Sequence, residues 1–332
     1  MNISIIIPTI DNRNEIIIRT LKYYENSSFE IIVVDSGEVN NVSLQNFKVS
    51  YLHLPKKNFF DKLEIGVKAA TNRYVVICQD DDFILEDSLI FGSKFLDNNL
   101  DFSAVHGNYI FFEKILEKIF YELGYASNTR KSLDSEDLDL RLETFLNISP
   151  LLISALTYKE VLLQNIRFVK KYHFISLFEL TTLIFISLNG KLKYIDKCWQ
   201  MRDMKIHNKS SWENRKKPKN ELIENLSSFL MTQKGIDFIN DLNKEINIRS
   251  GSNKEFTNEF HNYAISIKKI ESKMEPLKVF LIKYFPNLFK IFKKINLSIR
   301  YLKKLSSNKI NKIYMPEKND LKKIENLIFK YK

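Results

Sequence analysis

Three consecutive aspartates, Asp80-Asp81-Asp82, follow directly on the apolar run Tyr74-Val75-Val76-Ile77-Cys78. Adjacent carboxylates repel one another, so a folded site that gathers three of them calls for a cation, most simply a divalent ion carrying a phosphorylated ligand. An apolar run that ends in acids also reads as a strand, and open α/β sheets bind ligands outside the carboxyl ends of their strands. The competing reading of a bare acidic triplet is a solvated turn. The sequence upstream decides between the two.

The chain opens with Ile3-Ser4-Ile5-Ile6-Ile7-Pro8-Thr9, a short apolar run closed by proline that reads as a buried parallel strand. Between Glu15 and Glu25, Ile16, Ile17, Thr20, Leu21 and Tyr24 recur at helical spacing. Two more strand-like runs follow: Phe29 to Val34, ending in Asp35-Ser36-Gly37, and Val49 to Leu54, ending in Pro55. A helical segment from Phe59 to Ala70 then leads into the run before the aspartates. The order β-α-β, β, α-β is that of a nucleotide-binding half-domain on a parallel sheet.

With these motifs in this order, residues 1 to about 115 resemble the family 2-like bacterial glycosyltransferases of the GT-A fold. Ile5-Ile6-Ile7-Pro8-Thr9 looks like the family's first strand, Val33-Val34-Asp35-Ser36-Gly37 like its second, and Asp80-Asp81-Asp82 like its DXD motif. Val75 to Phe83 and Ser103 to Tyr109 suggest the subgroup described as a glycosyltransferase domain. A second block fits the same alignment. Phe178-Glu179-Leu180, the helical Thr181 to Leu188, Asn189-Gly190 and the strand-like Lys191 to Ile195 follow the family's order of acid, helix, glycine and strand. The family usually has Glu-Asp there, whereas this chain has the single carboxylate of Glu179.

The resemblance implies roles. Transfer from a nucleotide diphosphate sugar must stabilise a departing diphosphate, and Mn²⁺ or Mg²⁺ on a carboxylate does so as a Lewis acid. Asp82 is the implied metal ligand. Asp80 is implied on the ribose or nucleotide, Asp35 on the base edge, and the backbone at Thr9 against the nucleobase. Inversion needs a base for the acceptor hydroxyl, and Glu179 takes that role; its bland alternative is an acid complementing the helix dipole. Lys62 and Arg13 are candidates to reach the donor, with surface charge as the alternative for each. Arg202, in Met201-Arg202-Asp203 beyond the Lys191 to Ile195 strand, is a candidate phosphate clamp. His207 is a candidate extra metal ligand, set against a solvated loop histidine. His106 is read first as a hydrogen-bonded structural histidine and second as an acceptor contact, and His173 receives no role. Cys78 and Cys198 have no metal-type spacing and read as reduced, buried thiols of a cytosolic protein.

The 332 residues carry a net charge of +11, unevenly placed. From Leu277 to Pro316 there is no acid, while ten lysines and arginines interleave with aromatic and aliphatic residues. Leu288, Phe292, Ile295, Ile299 and Leu302 fall at helical spacing after Pro286, the pattern of an in-plane membrane helix over Leu277 to Leu305. The alternative is a helical subdomain packed on the catalytic domain; nucleic acid is disfavoured because no binding module accompanies the run. No signal peptide and no membrane-spanning segment is expected, so the placement is cytoplasmic, peripheral on the inner face of the membrane. The polar stretch Ser210 to Asn220 marks a boundary.

The expectation is therefore a GT-A-like catalytic domain over 1–210, with a mostly parallel sheet flanked by helices, and a basic helical region over 211–332. Its reaction is metal-dependent, inverting sugar transfer from a nucleotide sugar to a glycan or lipid-linked acceptor in bacterial surface polysaccharide or glycoconjugate synthesis. Two alternatives stand beside it. A nucleotidyltransferase would need a glycine-rich loop after the first strand, and Pro8 to Arg13 has no glycine. A non-catalytic, membrane-docked nucleotide-sugar binder would have no use for the full set of carboxylates.

Overall fold

In a computed structural model, residues 2–11, 13–115, 117–124, 130–148, 152–204, 226–251, 254–271 and 314–331 are described. The first half follows the expected order: β1 (Ile3–Thr9), α1 (Asn14–Tyr24), β2 (Glu30–Asp35), β3 (Ser50–His53), α2 (Phe59–Ala69) and β4 (Tyr74–Ile77). After β5 (Phe83–Ile84) come α3 (Glu86–Asn98), β6 (Phe102–Ile115), β7 (Lys118–Leu123) and α4 (Leu138–Ile148). Then follow β8 (Leu156–Tyr158), α5 (Lys159–Val169), α6 (Ser176–Asn189) and β9 (Lys191–Asp203). Among the described residues there follow α7 (Leu226–Leu230), α8 (Gln233–Ser250), α9 (Thr257–Glu271) and α10 (Lys318–Lys330).

One nine-stranded sheet runs β3-β2-β1-β4-β8-β6-β9-β5, with β7 hung on β6. The expected parallel pattern holds for β3-β2-β1-β4 and returns in the β6–β9 pair. Antiparallel β8 separates the two parallel groups, so the sheet as a whole is mixed. β1 is buried along its whole length, which is why it reads as a continuous apolar run. Its side chains divide with period two: Ile3, Ile5 and Ile7 join one core with α1, α3 and α10, while Ile6 joins the other with α2, α5 and α6. Helices α4, α7, α8 and α9 extend that second core through Phe145, Phe229, Phe238 and Phe260. The described helices beyond residue 211 thus pack on both faces of the sheet. His207, the Ser210 to Asn220 boundary and the Leu277 to Leu305 segment lie outside the described residues.

Strand polarity sets the functional edge. Because β9 runs parallel to β6, the helix feeding it, α6, begins at the carboxyl edge of the sheet. Phe178 confirms the placement, its ring 5.9 Å from Phe59 and 6.0 Å from Phe60 at the start of α2. That start is capped by Asn58, whose side chain accepts from Asp61 N at 3.0 Å. Gly190 turns α6 into β9 at φ 155°, where a Cβ would lie 2.7 Å from the Asp101 carbonyl oxygen.

Candidate active site

The loops after β1 and β2 and the turn after β4 meet at the carboxyl edge, and four buried hydrogen bonds tie them together. Lys62, fully buried on α2, donates to the Thr9 carbonyl at 2.6 Å and to Ser36 Oγ at 3.1 Å. Thr9 Oγ1 donates to Asp80 at 2.7 Å. Thr20 Oγ1, on α1, donates to the Asp80 carbonyl at 2.6 Å. Lys62 therefore pins two loops from beneath, and its buried ammonium is engaged within the protein. The Thr9 carbonyl also accepts from Ser36 N, and the next residues, Ile10 and Asp11, line the cavity that follows.

Those walls enclose a cavity of roughly 530 Å³ bounded by Ile10, Asp11, Asn14, Asp35 and the stretch from Glu38 to Ser43. Asp35 accepts from Gly37 N and from Tyr51 Oη, both at 2.8 Å. Tyr51 Oη in turn accepts from Asn41 N at 3.0 Å. Burial, with the Asp35 carboxylate beside it, pushes the Tyr51 phenol up to about 12. Gly37 is required by close approach, since a Cβ there would stand 2.4 Å from Asp11 Oδ1. Tyr51 thus fixes both the carboxylate and one rim of the cavity. Tyr51→Phe removes both hydrogen bonds of the phenol, of which the one that holds Asp35 is worth about 1 kcal/mol, and is expected to weaken a nucleotide ligand about fivefold by calorimetry with a modest fall in the thermal midpoint.

The acidic triplet is held by guanidinium groups. Arg13 places Nε 2.7 Å and Nη2 2.5 Å from the two Asp80 oxygens, and Nη2 2.9 Å from Asp81. Arg19, buried on α1 across the rings of Phe83 and Phe112, bonds Asp203 at 2.8 Å and the Asp81 carbonyl at 2.6 Å. Arg202 Nε lies 3.3 Å from Asp82 Oδ2. This revises the reading of Arg202: β9 does not stop at Ile195 but continues to Asp203, so Arg202 acts from a strand rather than from a loop beyond one. Arg13 is likewise no surface charge, and Asp80 offers its oxygens to Arg13 and Thr9 instead of facing outward.

Asp82 accepts from Gln200 Nε2 at 2.7 Å and from Asp203 N at 3.2 Å. Burial, and then the charge of Asp81, push its carboxyl up to about 8 against the pull of Arg202. Burial also raises Asp80, opposed by Arg13. Among the described residues, three guanidinium groups, Arg13, Arg19 and Arg202, meet the four carboxylates of Asp80, Asp81, Asp82 and Asp203. Beside Asp82, Gln200 Oε1 is a buried acceptor without a partner. Among the described residues no three histidine, cysteine, aspartate or glutamate side chains converge into a complete metal cage. One or two carboxylates plus an amide oxygen, completed by phosphate, is the set of hard oxygen ligands that Mg²⁺ or Mn²⁺ takes, and Asp82 with Gln200 fits it.

Residues 4–127 match the sequence pattern described as glycosyl transferase family 2. Over this stretch the chain is similar to family 2 glycosyltransferases. Uncharacterized glycosyltransferases of Rickettsia conorii and Rickettsia felis are 27% and 26% identical over 124 residues, covering 35% of this chain. The chain spans 20% of the length of these curated relatives. The crystal structure of S. aureus TarS 1–349 superposes with a TM-score of 0.55 at 16% identity, over 85% of this chain and 78% of that one. The TarS 1–349 complex with UDP-GlcNAc gives 0.51 at 17%, over 84% and 78%. At 85% of this chain, the shared fold extends well past residue 127.

Glu179 lies in the first turn of α6, at the same edge as the triplet and half-buried. Its charge reaches Tyr263 on α9, whose phenol is pushed up by burial and then by Glu179. His173 is exposed at φ 54°. His106 departs from its expectation, since neither ring nitrogen has a hydrogen-bond partner. Cys78 and Cys198 are free and buried. Arg19, Tyr51 and Gln200 were not singled out in the sequence. Arg19 carried a faint signal as a charge within the apolar periodicity of α1, whereas Gln200 carried none.

Proposed function

We propose that the chain transfers a glycosyl group from a uridine diphosphate sugar to a hydroxyl acceptor, with a divalent cation bound and with inversion at the anomeric carbon. The observation that carries this is the 530 Å³ cavity holding Asp35, at the same carboxyl edge of the sheet as Arg13, Arg202 and the triplet. The UDP and UDP-GlcNAc complexes of TarS support the choice of donor. Asp35 reads the base edge, and Arg13 and Arg202, already at the triplet, are cations placed to meet a diphosphate. Asp82 and Gln200 would hold the cation, which would supply Lewis-acid stabilisation of a departing diphosphate. Glu179 takes the proton from the acceptor hydroxyl as the new glycosidic bond forms and the donor C–O bond breaks. Assembly of a bacterial surface glycan is the setting that fits, with the basic 277–305 segment docking to anionic lipid. No helix among the described residues is long and apolar enough to cross a membrane.

Calorimetry with UDP, ADP and GDP, with and without Mn²⁺, tests the donor. UDP with Mn²⁺ is expected to bind most tightly, and the reading fails if no nucleoside diphosphate binds.

A further inference from the structure

His106 is 3% exposed, and burial pulls its imidazole down to about 3. It is therefore neutral at any working pH, with one nitrogen a donor and the other an acceptor. Both lack a partner. A buried polar group left unsatisfied costs about 1–3 kcal/mol, so such a group marks a place where something else completes the bonding.

The surroundings are built in polar fashion. Asn108, two residues along β6 and on the same face, is 2% exposed. Its Oδ1 accepts from Tyr194 Oη at 2.6 Å, and its Nδ2 donates to Asp196 Oδ1 at 3.0 Å. The Tyr194 ring meets the His106 ring edge-on at 5.4 Å. Asp196 owes its position to a bulge: β9 pairs Ile195 with Gly107 and then Cys198 with Asn108, leaving Asp196 and Lys197 outside the ladder. Gly107 permits this, because a Cβ there would lie 2.9 Å from the carbonyl oxygens of Ile195 and Lys197. Bulges of this kind re-aim side chains next to active sites. Asp196 ends up exposed and Tyr194 half-exposed, above a buried Asn108 and His106.

Strand register fixes where this cluster stands. Val75, Thr157 and Ala104 share one level across β4, β8 and β6. Two and four residues further along, His106 is level with Ile77 and Asn108 with Gln79, the residue before the triplet. Two strand spacings, about 10 Å, separate the cluster from the donor side along the same edge.

We propose that His106, Asn108, Tyr194 and Asp196 form the acceptor cleft and that it takes a neutral, polyhydroxylated sugar. A hydroxyl is donor and acceptor at once and so matches a neutral imidazole and an amide, directly or through one water. Asp196 accepts from a second hydroxyl, and the Tyr194 ring offers an apolar face. A carboxylate at the rim and an uncharged histidine at the floor disfavour an anionic acceptor group. The proposal rests on the glycosyl-transfer reading.

The test uses the full chain with ¹⁵N-labelled histidine, saturated with UDP and Mn²⁺, and the methyl β-glycosides of glucose, galactose and N-acetylglucosamine as probes. The His106 ring resonances, assigned from their loss in His106→Phe, are expected to shift saturably with at least one glycoside. Asp196→Ala, at an exposed position, is expected to weaken that glycoside about tenfold while still binding UDP. If UDP binds but no glycoside moves His106 at its solubility limit, the acceptor cleft is overturned and the donor reading stands. An unchanged glycoside affinity in Asp196→Ala also overturns it. Failure to bind UDP overturns both.

Discussion

Glu179→Gln is expected to lower turnover by about two to four orders of magnitude, with the affinity for UDP nearly unchanged. The amide keeps the size and shape of the side chain but cannot accept the acceptor's proton. The position supports the role, because the first turn of α6 faces the edge at which the triplet and the Asp35 cavity lie. A carboxylate that only complemented the helix dipole would be worth about 0.3–1 kcal/mol to stability and would leave the rate almost untouched. Tyr263→Phe is the local control, removing the phenol that feels Glu179 without touching the carboxylate. Initial rates on a UDP-sugar separate the two accounts, and near-normal turnover in Glu179→Gln removes it as the base. Product configuration by NMR reads the stereochemistry independently.

The residues that were legible in the sequence share a physical property. β1, β2 and β4 are buried on both faces, so each is a continuous apolar run with an abrupt end. Asp35 and the aspartate triplet stand at those ends. β9 was cut short at Ile195 because the bulge exposes Asp196 and Lys197, which breaks the apolar pattern midway. Arg202 was consequently placed on a loop, and the partnership of Gln200 with Asp82 stayed out of sight. Lys62 and Arg13 show a different limit. A lysine whose ammonium caps a carbonyl beneath two loops looks the same in sequence as one that faces solvent. An arginine paired with acids 67 and 68 positions away declares nothing locally. The need for a cation at the triplet was readable, but not that guanidinium groups meet part of it.

The part that remains unmet is what makes Asp82→Asn informative. Asp82 is 3% exposed, and burial and then Asp81 raise its carboxyl to about 8, against about 3.9 for an unfolded aspartate. Between about pH 4 and 8 the folded chain therefore binds more protons here than the unfolded chain, so stability falls as pH rises through that window. At roughly 1.4 kcal/mol for each unit, the loss is on the order of a few kcal/mol. Asparagine resembles the protonated acid and removes the slope. In EDTA, Asp82→Asn is expected to match the wild type near pH 4 and to exceed its stability near pH 8, as read by chemical denaturation. Adding Mn²⁺ with UDP should reverse the order. A cation favours the ionised carboxylate, so wild-type binding near neutral pH should release a proton, detectable by calorimetry in buffers of different ionisation enthalpy, whereas the variant should lose metal-dependent UDP binding. A difference in stability between wild type and variant that stays flat from about pH 4 to 8 would exclude the raised carboxyl, because the opposing contribution of the buried His106 imidazole is common to both and cancels in the difference. Unchanged metal-dependent affinity in the variant would exclude Asp82 as the ligand, because asparagine cannot supply the anionic oxygen that draws a hard divalent ion into a site with so few protein ligands.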